Sequence, residues 1–199
     1  MARRNRNTAA PGASTPTTEA PAAPNAAPAE AEQQASEPQP GGFAGWHWAL
    51  SLTFGLVVFD QLTKWLSVMF LAPAPAGEGR TIVLIPRVFL LRYAENTGAA
   101  FSLFTGKVGL LAIVSLLASV FIVWWWTRIP SQEKWGRVAL TMILAGAVGN
   151  LIDRVRLGYV IDMFDAYIGS YDYPVFNVAD ALICVGVGVL LWRSWKGKV

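Results

Sequence analysis

Histidine and cysteine are almost missing from this 199-residue chain, which has one of each, His47 and Cys184. A single cysteine excludes an internal disulfide and any CxxC redox or zinc motif. A single histidine leaves a His-based triad or zinc site only one residue to be built around. Cys184 lies in an apolar run, where a buried small hydrophobe is expected. His47 stands between Trp46 and Trp48, where an interfacial anchor is expected. Charge is scarce too: 15% of residues are charged against 54% hydrophobic, and the mean hydropathy is +0.40. That balance excludes an ordinary soluble domain and indicates a polytopic membrane protein. The net charge of +3 could suit a nucleic-acid partner, but the basic residues are dispersed around apolar runs instead of clustered on one face. They are better explained as topology signals, and no nucleic-acid partner is expected.

Residues 1–42 are rich in Ala, Pro, Ser, Thr and Glu and hold seven of the twelve prolines. So little apolar surface cannot offset the entropy of ordering, so a disordered tail is expected. No apolar stretch follows Arg3, Arg4 and Arg6, so no secretory signal is expected. The rest, 43–199, reads as one domain with four spans, about 46–71, 108–126, 138–158 and 175–192. The second ends in Trp124, Trp125 and Trp126, an aromatic belt, and the third carries the small residues Ala145, Gly146 and Gly149, which let helices approach closely. Between the first two spans, 81–85 and 88–93 are β-rich and flank Pro86-Arg87, which suits a small surface sheet over about 80–105.

The short segment 127–137 carries Arg128, Lys134 and Arg137, and the C-terminus carries Arg193, Lys196 and Lys198. With an even number of spans, the positive-inside rule puts both termini in the cytoplasm. Arg80, Arg87, Arg92 and Lys107 on the opposite side reduce the bias. On this topology Asp60, Asn96, Asp153, Asp162 and Asp180 fall in or just beyond the outer half of the bilayer.

A carboxylate at membrane depth costs about 2.5–3.5 kcal/mol on insertion scales, which makes each one a functional candidate. Asp162 follows one apolar run and Asp180 sits inside the next. Two carboxylates that meet across helices are the minimum for acid–base hydrolysis without a metal, since close carboxylates share one proton and so supply an acid and a base together. Asn96, Asn150 and Asn177 are amides suited to holding a peptide backbone or an oxyanion. Asp60 and Lys64 are four apart on one helix face, and Asp153 beside Arg154 suggests an orienting ion pair. Asp165 and Asp172 are expected to face water. Two rivals are a two-metal carboxylate site and a small transporter relaying protons. The polar motifs do not recur in two halves, as they do in many transporters.

Four motifs occur in order: Asp60-Gln61-Leu62-Thr63-Lys64; Asn96-Thr97-Gly98-Ala99-Ala100-Phe101-Ser102; Gly149-Asn150-Leu151-Ile152-Asp153-Arg154 with Val160-Ile161-Asp162; and Phe176-Asn177-Val178-Ala179-Asp180. Together, over about 46–195, the chain resembles the bacterial lipoprotein signal peptidases, or signal peptidase II. The resemblance implies an all-α membrane fold of four helices with a small extracytoplasmic β-cradle. It implies an aspartic endopeptidase, monomeric and multi-pass in the inner membrane, that removes signal peptides from diacylglyceryl-modified prolipoproteins. The implied catalytic pair is Asp162 and Asp180, supported by Asp60, Lys64, Asn96, Asn150, Asp153, Arg154 and Asn177. Partners would be the lipidated precursors and membrane lipid, and neither metal nor other cofactor is implied. The N-terminal tail has no counterpart in the family pattern.

Overall fold

Four long helices and one four-stranded sheet make up the chain in a computed structural model that describes residues 41–73, 79–98 and 106–197. The tail before residue 41 and positions 99–102 of the second motif lie outside the described residues. The helices are α1 (Trp46–Leu71), α2 (Val108–Arg128), α3 (Lys134–Leu157) and α4 (Val178–Trp195), and the strands are β1 (Ile82–Ile85), β2 (Phe89–Asn96), β3 (Val160–Ile168) and β4 (Tyr171–Phe176). All four helices are long and apolar enough to cross a membrane. The third begins at Lys134, four residues before the expected start, because Arg137 and Thr141 turn inward within its first two turns.

Helix α3 is central. Half of its apolar window is buried inside the protein, against 11–22% for the other three, and it packs against α1, α2 and α4. Its small residues make this possible. A Cβ on Gly146 would lie 2.3 Å from the Ala179 carbonyl oxygen on α4, and one on Gly186 of α4 would lie 2.8 Å from the Ala139 oxygen on α3. The two backbones therefore touch, which is how helices associate without a hydrophobic driving force between them.

At one end of the bundle Ile122, Trp126, Ile129 and Leu140 form an apolar cluster. The buried Arg137 lies over the Trp126 ring at 4.2 Å and donates to the carbonyls of Gly42, Ala44 and Ile129. Nearby, the buried Arg193 pairs with Glu133. Two of the arginines read as topology signals thus also tie chain segments together.

At the other end sits the sheet, ordered β1-β2-β3-β4 and antiparallel throughout. Half of it was not expected from the sequence, because β3 and β4 lie between two apolar spans and carry Asp162, Asp165 and Asp172 in place of a clean alternation. Leu71 from α1 packs on Ile161 and Met163, with Leu91, Tyr93, Tyr159 and Phe164 around them, and seals the sheet to the helix ends. Beta-bulges interrupt both neighbours of β3. On β2, Arg92 and Tyr93 stand opposite the single residue Met163; on β4, Pro174 and Val175 stand opposite Asp165. Proline lacks a ladder donor and fits a bulge on an edge strand.

The close contact of α3 and α4 can be tested. Gly146→Ala is expected to destabilise the detergent-solubilised protein by about 1–3 kcal/mol, because the new methyl meets backbone that cannot yield. Gly188→Ala on the open side of α4, with nothing within 4 Å, should change the melting temperature little. Equal melting of the two variants would contradict the packing described.

Candidate active site

Asp162 lies third in β3 and is buried, with 2% of its surface exposed. Asp180 occupies the first turn of α4, where it completes a capping box with Asn177. The Asn177 side-chain oxygen accepts from the Asp180 N–H at 3.0 Å, and the Asp180 carboxylate accepts from the Asn177 N–H at 3.2 Å. This arrangement satisfies two of the amide groups that a helix start leaves unpaired. The same Asn177 side chain donates to Asp162 Oδ1 at 2.6 Å. One asparagine, fully buried at the strand-to-helix junction, therefore holds both carboxylates.

The other two asparagines also serve the aspartates. Asn96 donates to Asp162 Oδ2 at 3.0 Å, and Asn150 donates to Asp180 Oδ1 at 2.8 Å. Each thus gives one amide N–H to a carboxylate, a contact the sequence did not suggest. Asn96 also accepts from the Gly98 N–H at 2.9 Å.

Behind this layer lies a buried ionic cluster. The Lys64 ammonium is 2.9 Å from Asp60 Oδ2, 2.9 Å from Asp153 Oδ2 and 3.0 Å from Asn150 Oδ1. Asp60 accepts from the Ala179 N–H at 2.9 Å, and Asp153 accepts from the Ile161 N–H at 3.2 Å. The cluster thus reaches the residue before each candidate catalytic aspartate. Gly149 makes room for it: a Cβ there would lie 2.5 Å from Asp60 Oδ2.

Three expectations need correction. Asp153 and Arg154 do not form an ion pair. Adjacent helix residues point about 100° apart, so Asp153 turns in to Lys64 while Arg154 reaches across to donate to the Gly98 carbonyl at 3.2 Å. Asp165 does not face water: it is buried, and its Oδ2 lies 2.6 Å from Arg92 Nε. Asp172 does remain exposed. Cys184 is not buried either; it is exposed on the same side of α4 as Asp180, one turn further on. Sequence reasoning also undervalued Gln61, whose amide lies 3.0 Å from Asp153 Oδ1 and 3.2 Å from Asp60 Oδ2. Its position next to Asp60 was the only available signal.

Part of the candidate set opens on a cavity of about 800 Å³. Asn96, Asn150, Arg154, Asp162 and Asp180 line its polar side, and Val160, Val175, Phe176 and Ile183 are among its apolar walls. Burial, reinforced by the charge of Asp180, pushes the Asp162 carboxyl up to about 7; the amides of Asn96 and Asn177 and the Lys64 charge oppose this. A carboxylic acid that keeps its proton to neutral pH, next to a second carboxylate, can act as an acid–base pair. Among the described residues, no three His, Cys, Asp or Glu side chains converge in a way that could hold a metal ion.

Known proteins match both the sequence and the fold. A lipoprotein signal peptidase from Syntrophotalea carbinolica is 41% identical over 147 residues, covering 72% of this chain and 88% of that protein. One from Halalkalibacterium halodurans is 38% identical over 143 residues, with the same coverage. A bacterial membrane enzyme solved in meso at 2.3 Å superposes with a TM-score of 0.70 at 28% identity, over 79% of this chain and 92% of its own. The family model for signal peptidase (SPase) II matches residues 52–196, and the chain belongs to that family.

Proposed function

We propose that the protein is an aspartic endopeptidase that removes signal peptides from diacylglyceryl-modified prolipoproteins, with Asp162 and Asp180 as its catalytic pair. Membership of the signal peptidase II family supports the substrate class. The observation that carries the catalytic assignment is the double use of Asn177, which holds a carboxylate from β3 and one from α4 at the wall of a single cavity.

Hydrolysis needs a water made nucleophilic and a carbonyl made electrophilic. The pair shares one proton, with its upper titration near 7 on the Asp162 side. The ionised member takes a proton from the attacking water while the protonated one donates to the carbonyl oxygen. When the tetrahedral intermediate collapses, a proton passes to the leaving amine and the pair is reset. Arg154, on the cavity wall, feels the charges of Asp180, Asp162 and Asp153 and keeps the carboxylates from being an unbalanced negative cluster. Asp60, Lys64 and Asp153 hold the backbone on either side, and Asn96, Asn150 and Asn177 fix the carboxylate planes.

The enzyme works as a monomer in the bacterial inner membrane, with both termini cytoplasmic and the sheet as an extracytoplasmic cradle. Four consecutive exposed apolar residues in β1 support placing the sheet against lipid, since such a strand is a liability in water. A substrate with an apolar signal helix and a lipid chain reaches this site laterally.

Asp162→Asn and Asp180→Asn should each lower cleavage of a lipidated precursor by about a thousandfold or more, and the double variant should be no worse, because paired residues act as a unit. Asp172→Asn, on the exposed part of β4, is the control and should stay active. Substantial cleavage by a folded Asp162→Asn or Asp180→Asn protein would remove the assignment.

The pH profile provides a second check. Activity should fall as pH rises past about 7, where Asp162 loses its proton and both carboxylates are ionised. Because the folded carboxyl sits above its ordinary 3.8, the folded state binds the proton more tightly than the unfolded chain. Its contribution to stability is therefore greatest below 3.8 and is lost as pH rises towards 7. Melting of Asp162→Asn should lack that dependence, and an unchanged pH–melting curve would contradict it.

Topology is tested with reporter fusions at the C-terminus and between Leu71 and Gly79. The two should report opposite sides of the membrane, with the C-terminus inside; a shared side would exclude four spans.

A further inference from the structure

β4 is an edge strand: the sheet runs β1-β2-β3-β4, so its far side has no strand beside it. Among the described residues, no hydrogen bond outside the β3 ladder reaches the backbone from Tyr171 to Phe176. Yet this strand borders the cavity without a gap, through residues 172–176. β3 contributes only Val160 and Asp162, two residues of one face. A strand lines a cavity with residues of both faces only where the cavity passes round its edge, so the cavity meets β4 edge-on.

The direction of the backbone groups follows from the other side of β3. Tyr167 gives its N–H to the carbonyl of Val88, next to β2, at 2.8 Å. Backbone groups alternate in direction along a strand, so Phe164, Ala166 and Ile168 turn theirs towards β4. Their partners Phe176, Tyr173 and Tyr171 turn theirs to β3 in return. The main-chain groups between these partners are left for the free edge. Pro174 stands among them; it has no N–H, and so costs the ladder nothing. Open edges of this kind recruit extended peptides, with main-chain hydrogen bonds as the source of affinity. β2 is also open beyond Leu91, where β1 has ended. There, however, the Thr97 and Gly98 carbonyls already accept from the Gly106 N–H and from Arg154, and the bulge at Arg92 and Tyr93 breaks the spacing.

We propose that the precursor segment following the scissile bond adds to the free edge of β4 as a fifth strand. This inference rests on the peptidase reading of the site. β4 runs directly into Asn177, which holds both Asp162 and Asp180, so a peptide lying along its edge ends at that pair. The strand is exposed from Tyr171 to Tyr173 and half-buried from Pro174 to Phe176, the course of a chain leaving the site for water. Backbone chemistry selects the segment. A signal sequence inside the bilayer satisfies its own N–H and C=O groups as a helix and has none to offer. The segment beyond the cleaved bond lies outside that helix, and its groups are free to pair. The edge is a main-chain surface, so the side-chain change Asp172→Asn does not alter it.

The test uses full-length wild-type protein in detergent and synthetic lipidated precursors, N-methylated at one residue at a time beyond the lipid-bearing cysteine. The enzyme is untouched, so no folding defect can intervene. Backbone N–H groups of an added strand point to their partner at every second residue. A lost hydrogen bond of ordinary strength is worth about three- to tenfold. N-methylation at every second residue should therefore lower kcat/KM by about three- to tenfold, and at the residues between by less than about twofold. A precursor carrying benzoylphenylalanine in the same segment, held uncut by full-length Asp162→Asn, should crosslink to Tyr171–Phe176. Uniform losses along the segment, or none, would overturn the added strand, as would crosslinks confined to residues 92–96 of β2. The unmodified precursor keeps the two readings apart. If wild type fails to cut it, or Asp162→Asn cuts it, the catalytic assignment falls, whatever the methylation pattern.

Discussion

A single buried ammonium organises this protein. Lys64 lies between Asp60 on its own helix and Asp153 on α3, and it also reaches Asn150. Burying charge is costly, and removing one partner of a buried pair typically costs about 3–5 kcal/mol. The cost is tolerated here because every member is hydrogen-bonded onward: Asp60 to the Ala179 N–H, Asp153 to the Ile161 N–H, Asn150 to Asp180. The cluster therefore fixes α1, α3, the start of β3 and the start of α4 relative to one another. The last three of these, with β2 and β4, line the cavity.

The two halves of the fold are held by different forces. In the helices, close contact does the holding: Gly146 and Gly186 let α3 and α4 touch along their backbones. In the sheet, register does it. Two bulges flank β3, one at Arg92 and Tyr93 and one at Pro174 and Val175, and they decide which side chains share a face with Asp162. Asp162 belongs to the sheet and Asp180 to a helix, so their alignment depends on the joint between the two halves. Asn177 is that joint: it caps α4 while its amide holds Asp162.

Much of this was legible in the sequence, for identifiable reasons. Long uncharged runs marked the helices, because the hydrophobic span is set by bilayer thickness. Asp60, Asn96, Asp153, Asp162 and Asp180 stood out because the topology puts them in one layer, Lys64, Asn150, Arg154 and Asn177 joined them through the family resemblance, and the structure brings the set together. What the sequence hid was direction. Asp153 and Arg154 look like a pair on paper but point about 100° apart on the helix. Asp165 resembled a solvated acid because nothing in a linear chain shows that Arg92, far earlier, faces it across a strand. β3 and β4 were missed for the same reason: their pattern is broken by Asp162, Asp165 and Asp172 and by a bulge, both of which erase the alternation that marks a strand. The asparagines were recognised as site residues, but their contacts with the aspartates were not foreseen, since an amide suits a peptide backbone and a carboxylate equally well.

The central claim is that Asp162 and Asp180 form one proton-sharing pair. The direct measurement is a carbon-13 NMR titration of the aspartate carboxyls in detergent-solubilised protein, with Asp162 assigned by its loss in Asp162→Asn. The account predicts that Asp162 titrates near 7 and moves downward in Asp180→Asn, where the like charge is gone. Titration of Asp162 near 3.8, unchanged when Asp180 is replaced, would show two independent acids and contradict the account.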